Sequence, residues 1–161
     1  MLNPMLSPMP KFIKATEAAT RTGSRYPKPH DAPCLNRTKY LLGEAFGLNQ
    51  FGVNLVTLEA GAWSSQRHWH EAEDEFIYIL SGEVTLTDDS GDHILSTGMC
   101  AGFKAGNPNG HCLKNHTAGP VQYLEMGTRA AKETAWYSDL DMKVDQVNQK
   151  GIYKRKDGSP L

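Results

Sequence analysis

Charge of one sign is missing from this sequence: 17 Lys and Arg meet 18 Asp and Glu, for a formal net charge of -1 at pH 7. So balanced a chain has no long-range field to gather nucleic acid. Its one basic cluster, Lys150, Lys154, Arg155 and Lys156, sits beside Asp157. Long apolar runs are missing too. Mean hydropathy is -0.50, and no stretch approaches the roughly 20 apolar residues of a membrane span. Cysteine is scarce: Cys34, Cys100 and Cys112 show no CxxC spacing, so no disulfide framework is expected and the thiols read as reduced, space-filling side chains. No GxGxxG or Walker pattern is written, and no helix-length amphipathic segment separates the strand-like runs, which excludes a nucleotide-binding parallel sheet. In MLNPMLSPMPKFIK, prolines at 4, 8 and 10 interrupt any signal-peptide core, so a cytoplasmic protein with no membrane contact is expected.

What is there suits a single folded domain of 161 residues, 39% of them hydrophobic. Residues 1–50 hold Pro4, Pro8, Pro10, Pro27, Pro29 and Pro33 and keep no sustained period apart from a short helix expected near Thr16 to Thr20, so they read as an irregular arm. From residue 51 to 128 the pattern changes to short β-branched and aromatic runs between glycine-bearing turns. These are VNLVTLEA (53–60), EFIYILSG (75–82), EVTLTDD (83–89), DHILSTG (92–98), GHCLKN (110–115) and PVQYLEMG (120–127). Six antiparallel strands suffice for a sandwich or barrel, and Ser81-Gly82 and Asp88 to Gly91 are hairpin candidates. Residues 129–161 read as a C-terminal extension packing on the barrel or a partner, with a short helical or irregular stretch from Thr128 to Trp136.

The chemistry concentrates in GAWSSQRHWHEAEDE, residues 61–75. In extended chain His68 and His70 share one face while Trp69 takes the other. Four carboxylates follow, at Glu71, Glu73, Asp74 and Glu75, and proximity selects none of them. A third imidazole is available at His111, in a short strand where alternation groups it with Leu113 and Asn115. Three neutral imidazoles with one carboxylate suit a divalent transition ion (Fe, Mn, Zn and Ni are not distinguished), whereas calcium or magnesium prefers oxygen alone.

The pattern Gly61, His68-x-His70, four residues, Glu75, six residues, Gly82 resembles the first motif of the cupin superfamily, and Gly98 to Asn115 resembles the second. Lys104 stands where that family usually has proline, and His111 follows Gly106 by five residues rather than three, so a longer approach loop is expected. The resemblance implies an all-β, double-stranded β-helix (jelly-roll) barrel with the metal between its sheets, and it places His68, His70, Glu75 and His111 at the family's ligand positions. The stretch FGVNLVTLEAG and the ending DGSPL are similar to small single-domain bacterial cupins without an assigned reaction.

If Glu75 faces inward, so do Ile77 and Ile79, leaving Phe76, Tyr78 and Leu80 on an outer face that is also apolar; a homodimer would cover it. Gln66 shares the parity of His68 and His70 and is a substrate-binding candidate, with Phe103 and Tyr123 as apolar walls. Trp63, Trp69 and Trp136 are expected to pack at the rim, and His93 and His116 to be solvated. A metal ion with two open positions serves either oxygenase-like chemistry on a small oxygen-bearing molecule or isomerase and lyase chemistry. The latter needs a separate proton acceptor, and the sequence offers no convincing one. A non-catalytic cupin that senses a sugar or carboxylate is the reading from a different class.

Overall fold

The structure, a computed structural model, describes residues 12–161. Pro4, Pro8 and Pro10, and the expectation resting on them, lie outside that range. The described chain is built from strands: β1 (Thr20–Thr22), β2 (Arg37–Tyr40), β3 (Phe51–Leu58), β4 (His68–His70), β5 (Glu75–Ser81), β6 (Glu83–Asp88), β7 (Gly91–Ser96), β8 (Cys100–Phe103), β9 (Cys112–Lys114), β10 (Val121–Thr128), β11 (Lys132–Tyr137), β12 (Met142–Val147) and β13 (Lys150–Lys154). The α-helix among the described residues is one turn, α1 (Leu42–Ala45). No described helix is long and apolar enough to cross a membrane.

The strands form two antiparallel walls. One is ordered β1-β2-β3-β10-β5-β8; the other consists of β13-β12-β11-β4 and β7-β6-β9. The two pieces of the second wall are joined at an isolated bridge, where the His68 N–H donates to the His111 carbonyl at 3.1 Å and the His111 N–H to the His68 carbonyl at 2.8 Å. This is the all-β jelly roll implied by the sequence resemblance.

Period-two burial explains the barrel. Val56 and Leu58 on β3, Ile77 and Ile79 on β5, Val84 and Leu86 on β6, and Val121 and Tyr123 on β10 meet in one core. Each aliphatic side chain so buried contributes about 1.5–3 kcal/mol. Glu75 heads the inward row of β5, while Phe76, Tyr78 and Leu80 point outward and remain 39%, 40% and 40% exposed. A second cluster, Ala135, Tyr137, Met142 and Val144, packs with Tyr26 and Tyr153 at the far side.

Of the two expected hairpins, Asp88 to Gly91 forms one. The β6–β7 ladder closes on the pair Asp88 and Gly91, and the Asp88 carboxylate accepts the Ser90 N–H at 2.8 Å. Ser81-Gly82 does not: β5 and β6 belong to different walls, and the chain turns a corner there. Gly82 has φ +82°, and a Cβ at that position would lie 3.1 Å from the Pro120 carbonyl oxygen, so the corner requires glycine.

Both flanks carry more β structure than the sequence suggested. The stretch read as an arm supplies β1 and β2 to the edge of the first wall, and the helix expected near Thr16 to Thr20 is a 3-10 turn at Ala15–Glu17 followed by β1. The stretch read as helical or irregular, Thr128 to Trp136, contains most of β11, which pairs with β4. In both cases the period is two, but the inward residues are mostly polar or aromatic. In β11 Glu133, Ala135 and Tyr137 are buried; in β2 the inward positions are Arg37 and Lys39, which pair with Leu58 and Val56.

Candidate metal centre

His68 and His70 sit on one face of β4, and His111 is brought beside His68 by the backbone bridge between the two pieces of the second wall. Glu75 enters from the opposite wall, at the start of β5. Its Oε2 lies 2.9 Å from His111 Nε2, 3.5 Å from His70 Nε2 and 3.8 Å from His68 Nε2. Two donors on one ion at about 2.1 Å each stand no more than about 4.2 Å apart, so these separations fit a shared ion. The donor atoms of His68, His70 and Glu75 also lie within 4.8 Å of one another. Of the four carboxylates between 71 and 75, Glu75 is the one whose oxygen faces all three imidazoles.

The surroundings prepare the imidazoles as ligands. His68 Nδ1 lies 2.9 Å from the Gln66 carbonyl and must donate to it, which leaves Nε2 as a lone pair. His70 Nδ1 stands 3.3 Å from Oε1 of Glu133, whose carboxylate is fully buried. That contact is electrostatic and lacks good hydrogen-bond alignment, since His70 Nδ1 has no hydrogen-bond partner. Glu133 is itself fixed, accepting the N–H groups of Glu71 at 2.9 Å and Ala72 at 2.8 Å. The Phe103 ring stacks on His111 with centroids 3.5 Å apart and planes 1° from parallel, which sets that ring's plane.

Charge follows from burial and neighbours. Burial pushes the His68 pKa down to about 3 despite the Glu75 carboxylate, so the ring is neutral. Burial also acts to lower His70, but Glu133 and Glu75 outweigh it and the net shift is upward. For Glu75 burial acts upward, and the facing imidazoles, His111 first, more than offset it and hold the carboxyl well below its usual range. Glu75 Oε2 is buried without a properly aligned hydrogen bond. Imidazole nitrogens of His68, His70 and His111 gathered around the Glu75 carboxylate are a donor set that a divalent transition ion takes, and His68, whose Nδ1 proton is committed to the Gln66 carbonyl, offers its Nε2 lone pair to it. The residues present therefore fit a divalent ion. A second acidic group, His70, Glu73 and Glu133, has its carboxylates occupied by backbone N–H donors.

Space adjoins the centre on two sides. A cavity of about 180 Å³ is lined by Trp69, Asp88, Lys104 and Asn109 with His70, Glu75 and His111. On the other side lies a lobe of about 170 Å³ that includes Tyr123, Phe103 and Lys39, and it shares His68, Arg37 and Lys39 with the lining of one of about 490 Å³. Phe103 and Tyr123 both line this lobe, and the Tyr123 hydroxyl is buried without a partner. Gln66 is placed elsewhere: its amide donates to the His30 carbonyl at 2.8 Å, tying the N-terminal segment to the barrel.

Of the three tryptophans, Trp69 lines the cavity beside the centre. Trp69 and Trp136 stack across the β4–β11 pair with centroids 6.2 Å apart, and Lys114 lies over Trp63. His93 is held in the β6–β7 turn by Ser90 and Asp88, and His116 is exposed. The longer approach loop, between β8 and β9, is held by the Gly106 N–H on the His70 carbonyl at 2.8 Å.

Residues 54–127 match the family model described as Cupin domain. A crystal structure from Silicibacter pomeroyi, described as a sugar phosphate isomerase from a cupin superfamily, shares 47% identity over 93% of this chain and 96% of its own, with a TM-score of 0.90. The chain belongs to the cupin superfamily. A second cupin-fold structure, from Acidithiobacillus ferrooxidans, for which sugar phosphate isomerase activity has been put forward, has 26% identity and a TM-score of 0.71 over 78% of this chain and 80% of its own. The polyketide cyclase RemF from Streptomyces resistomycificus shares the fold alone, at 18% identity and TM-score 0.60 over 74% of this chain and 80% of its own. Among curated proteins there is no match.

The cupin site also contains side chains that sequence reasoning passed over. Lys39 Nζ lies 2.5 Å from Glu125 Oε1, which also accepts the Asn54 amide at 2.8 Å. Burial lowers the Lys39 pKa, with Glu125 opposing. Glu125 pairs with Ile77 on the inward face of the first wall, so it is a diagonal neighbour of Glu75, at about 7–8 Å along the sheet. Only the inward parity of β2 and β10 could have signalled the pair.

Proposed function

We propose that His68, His70, Glu75 and His111 hold one divalent transition-metal ion, and that this cupin isomerises a small hydroxy-carbonyl compound of the sugar-phosphate class. The observation that carries the reading is the Lys39–Glu125 pair on the same inward face as Glu75. It supplies the proton acceptor that isomerase chemistry needs and that the linear sequence did not reveal. The activity described for the Silicibacter pomeroyi relative is of this kind.

When bound, the ion supplies Lewis-acid polarisation of the substrate's carbonyl and hydroxyl oxygens. Glu125 takes the proton from the hydroxyl-bearing carbon as that C–H bond breaks, the hydroxyl proton passes to the former carbonyl oxygen, and Glu125 returns its proton to the former carbonyl carbon, leaving the new carbonyl where the hydroxyl was. Lys39 and Asn54 orient the carboxylate, while the Tyr123 hydroxyl, unpartnered in the lobe, is free to hold a substrate oxygen. A redox-capable ion would also admit oxygenase-like chemistry, and a binding role would need no acceptor; the half-buried acid–base pair favours proton transfer over both.

Metal-loaded protein incubated in D₂O with aldose and ketose phosphates should interconvert the pair and incorporate solvent deuterium at carbon. Glu125→Gln should keep its metal and lose about 10²-fold or more in turnover. Oxygen uptake without isomerisation, or binding with neither exchange nor turnover, would contradict the reading.

The outer face of β5 supports a homodimer. Phe76, Tyr78 and Leu80 stand exposed there, beside Leu124 and Met126 of β10 by register, and nothing among the described residues covers them. Sedimentation should give a dimer that Tyr78→Asp converts to monomer; a wild-type monomer at tens of micromolar would oppose it. The three free thiols, Cys34, Cys100 and Cys112, accord with a reducing cytoplasm.

A further inference from the structure

The metal centre can be reached from two sides, and their charges differ. On the side of Trp69 the lining includes Glu73, Glu75 and Asp88 against one lysine, Lys104. The 490 Å³ lobe on the other side is lined by Arg21, Arg25, Arg37 and Lys39, with no carboxylate among its lining residues. His68 and His70 belong to the same lining. A volume in this range accommodates a small phosphorylated metabolite.

The four cations are not equivalent. Arg37 is a structural clamp: its guanidinium donates to the carbonyls of Ser64 and Gly23, and the Gly23 N–H donates back to the Arg37 carbonyl at 2.8 Å. Lys39 is engaged by Glu125. Arg21 has only a loose contact with Glu44, at 3.8 Å, and the Arg25 side chain makes no ion pair or hydrogen bond among the described residues. The clamp fixes the Gly23 turn, and with it Arg21, paired only at 3.8 Å with Glu44, and Arg25 flank the mouth. Deeper in, Arg37 Nε is buried without a partner, a further donor awaiting an acceptor.

We infer that Arg21 and Arg25 form a phosphoryl-binding subsite, so that an anionic substrate enters between β1 and the β12–β13 hairpin with its carbon chain directed at the metal centre. The inference deepens the isomerase reading and rests on it for the substrate class. Guanidinium groups suit the task because each presents two parallel N–H donors to phosphate oxygens. The acidic mouth on the Trp69 side repels the same anion.

Calorimetric titration of the intact protein with inorganic phosphate, ribose and ribose 5-phosphate tests this. Wild type should bind ribose 5-phosphate more tightly than ribose. Arg21→Gln/Arg25→Gln should weaken both phosphate and ribose 5-phosphate by about tenfold or more, Arg25→Lys by less, and Lys104→Gln by nothing measurable, with melting temperatures alongside to show intact folding. His68→Ala/His111→Ala should still bind inorganic phosphate, which separates the arginines from phosphate held by a metal ion. Phosphate binding through the arginines without any sugar isomerisation would leave the subsite standing and end the isomerase reading. The subsite itself is overturned if wild type binds no phosphate, if ribose binds as tightly as ribose 5-phosphate, if the arginine variants match wild type, or if Lys104→Gln or the histidine variant abolishes phosphate binding.

Discussion

Replacing His68 and His111 together by alanine should lower metal affinity roughly 10⁴-fold. A four-ligand transition-metal site is worth about 10–16 kcal/mol, or about 3 kcal/mol for each donor, and two lost donors correspond to about four decades in binding. Elemental analysis of purified protein should fall from near one ion per chain to background. The fold should survive, because the His68–His111 bridge is made by backbone groups that alanine retains. Equal metal content in both proteins would place the ion elsewhere.

Asn115→Leu should cost about 3–4 kcal/mol of stability. Asn115 is fully buried, and its side chain has used every valence: Nδ2 donates to the carbonyls of Leu58 and Gly119, at 2.9 and 2.8 Å, and Oδ1 accepts the Thr117 N–H and hydroxyl, at 2.9 and 2.7 Å. Leucine matches the volume and leaves Leu58 O, Thr117 N and Gly119 O without that partner, at about 1–3 kcal/mol for each group that stays dry. With an m-value of about 1.5–2 kcal/mol/M, the urea midpoint should drop by about 2 M. The same residue ties the end of β9 to the chain entering β4, through Asn115 N to the Ala62 carbonyl and Gly61 N to the Asn115 carbonyl, each at 2.9 Å. A midpoint shift below about 0.3 M would mean that water satisfies these groups and that Asn115 is dispensable.

Strands were legible in the sequence where their inward residues are aliphatic. Val56 with Leu58, Ile77 with Ile79, and Val84 with Leu86 announce their period through side chains that only a core explains. The bridging histidines were legible for a different reason, since imidazoles at i and i+2 are uncommon unless one face has a use for both. What stayed hidden is the part of the barrel whose interior is polar. In β2 the inward side chains are Arg37 and Lys39, in β11 they include Glu133, and in β10 Glu125 interrupts the apolar row; read along the chain, each resembles a solvated segment. Their burial comes from partners far away in sequence. Arg37 reaches Gly23 and Ser64, Lys39 reaches Glu125, and Glu133 reaches the backbone of Glu71 and Ala72. The residues proposed to position substrate and metal were hard to read because their inward-facing side chains are polar or charged. Gln66 shows the converse. Parity placed it with the histidines, but the His30 carbonyl, thirty-six residues earlier, claims its amide.

The most direct measurement is anomalous diffraction from crystals grown with a transition metal such as manganese or zinc, recorded at the metal's absorption edge. One peak is expected between the two walls, within about 2.0–2.3 Å of Nε2 of His68, His70 and His111 and of a Glu75 carboxylate oxygen. Saturated crystals with no density there, or with the peak among His70, Glu73 and Glu133 instead, would contradict the proposed centre and the chemistry built on it.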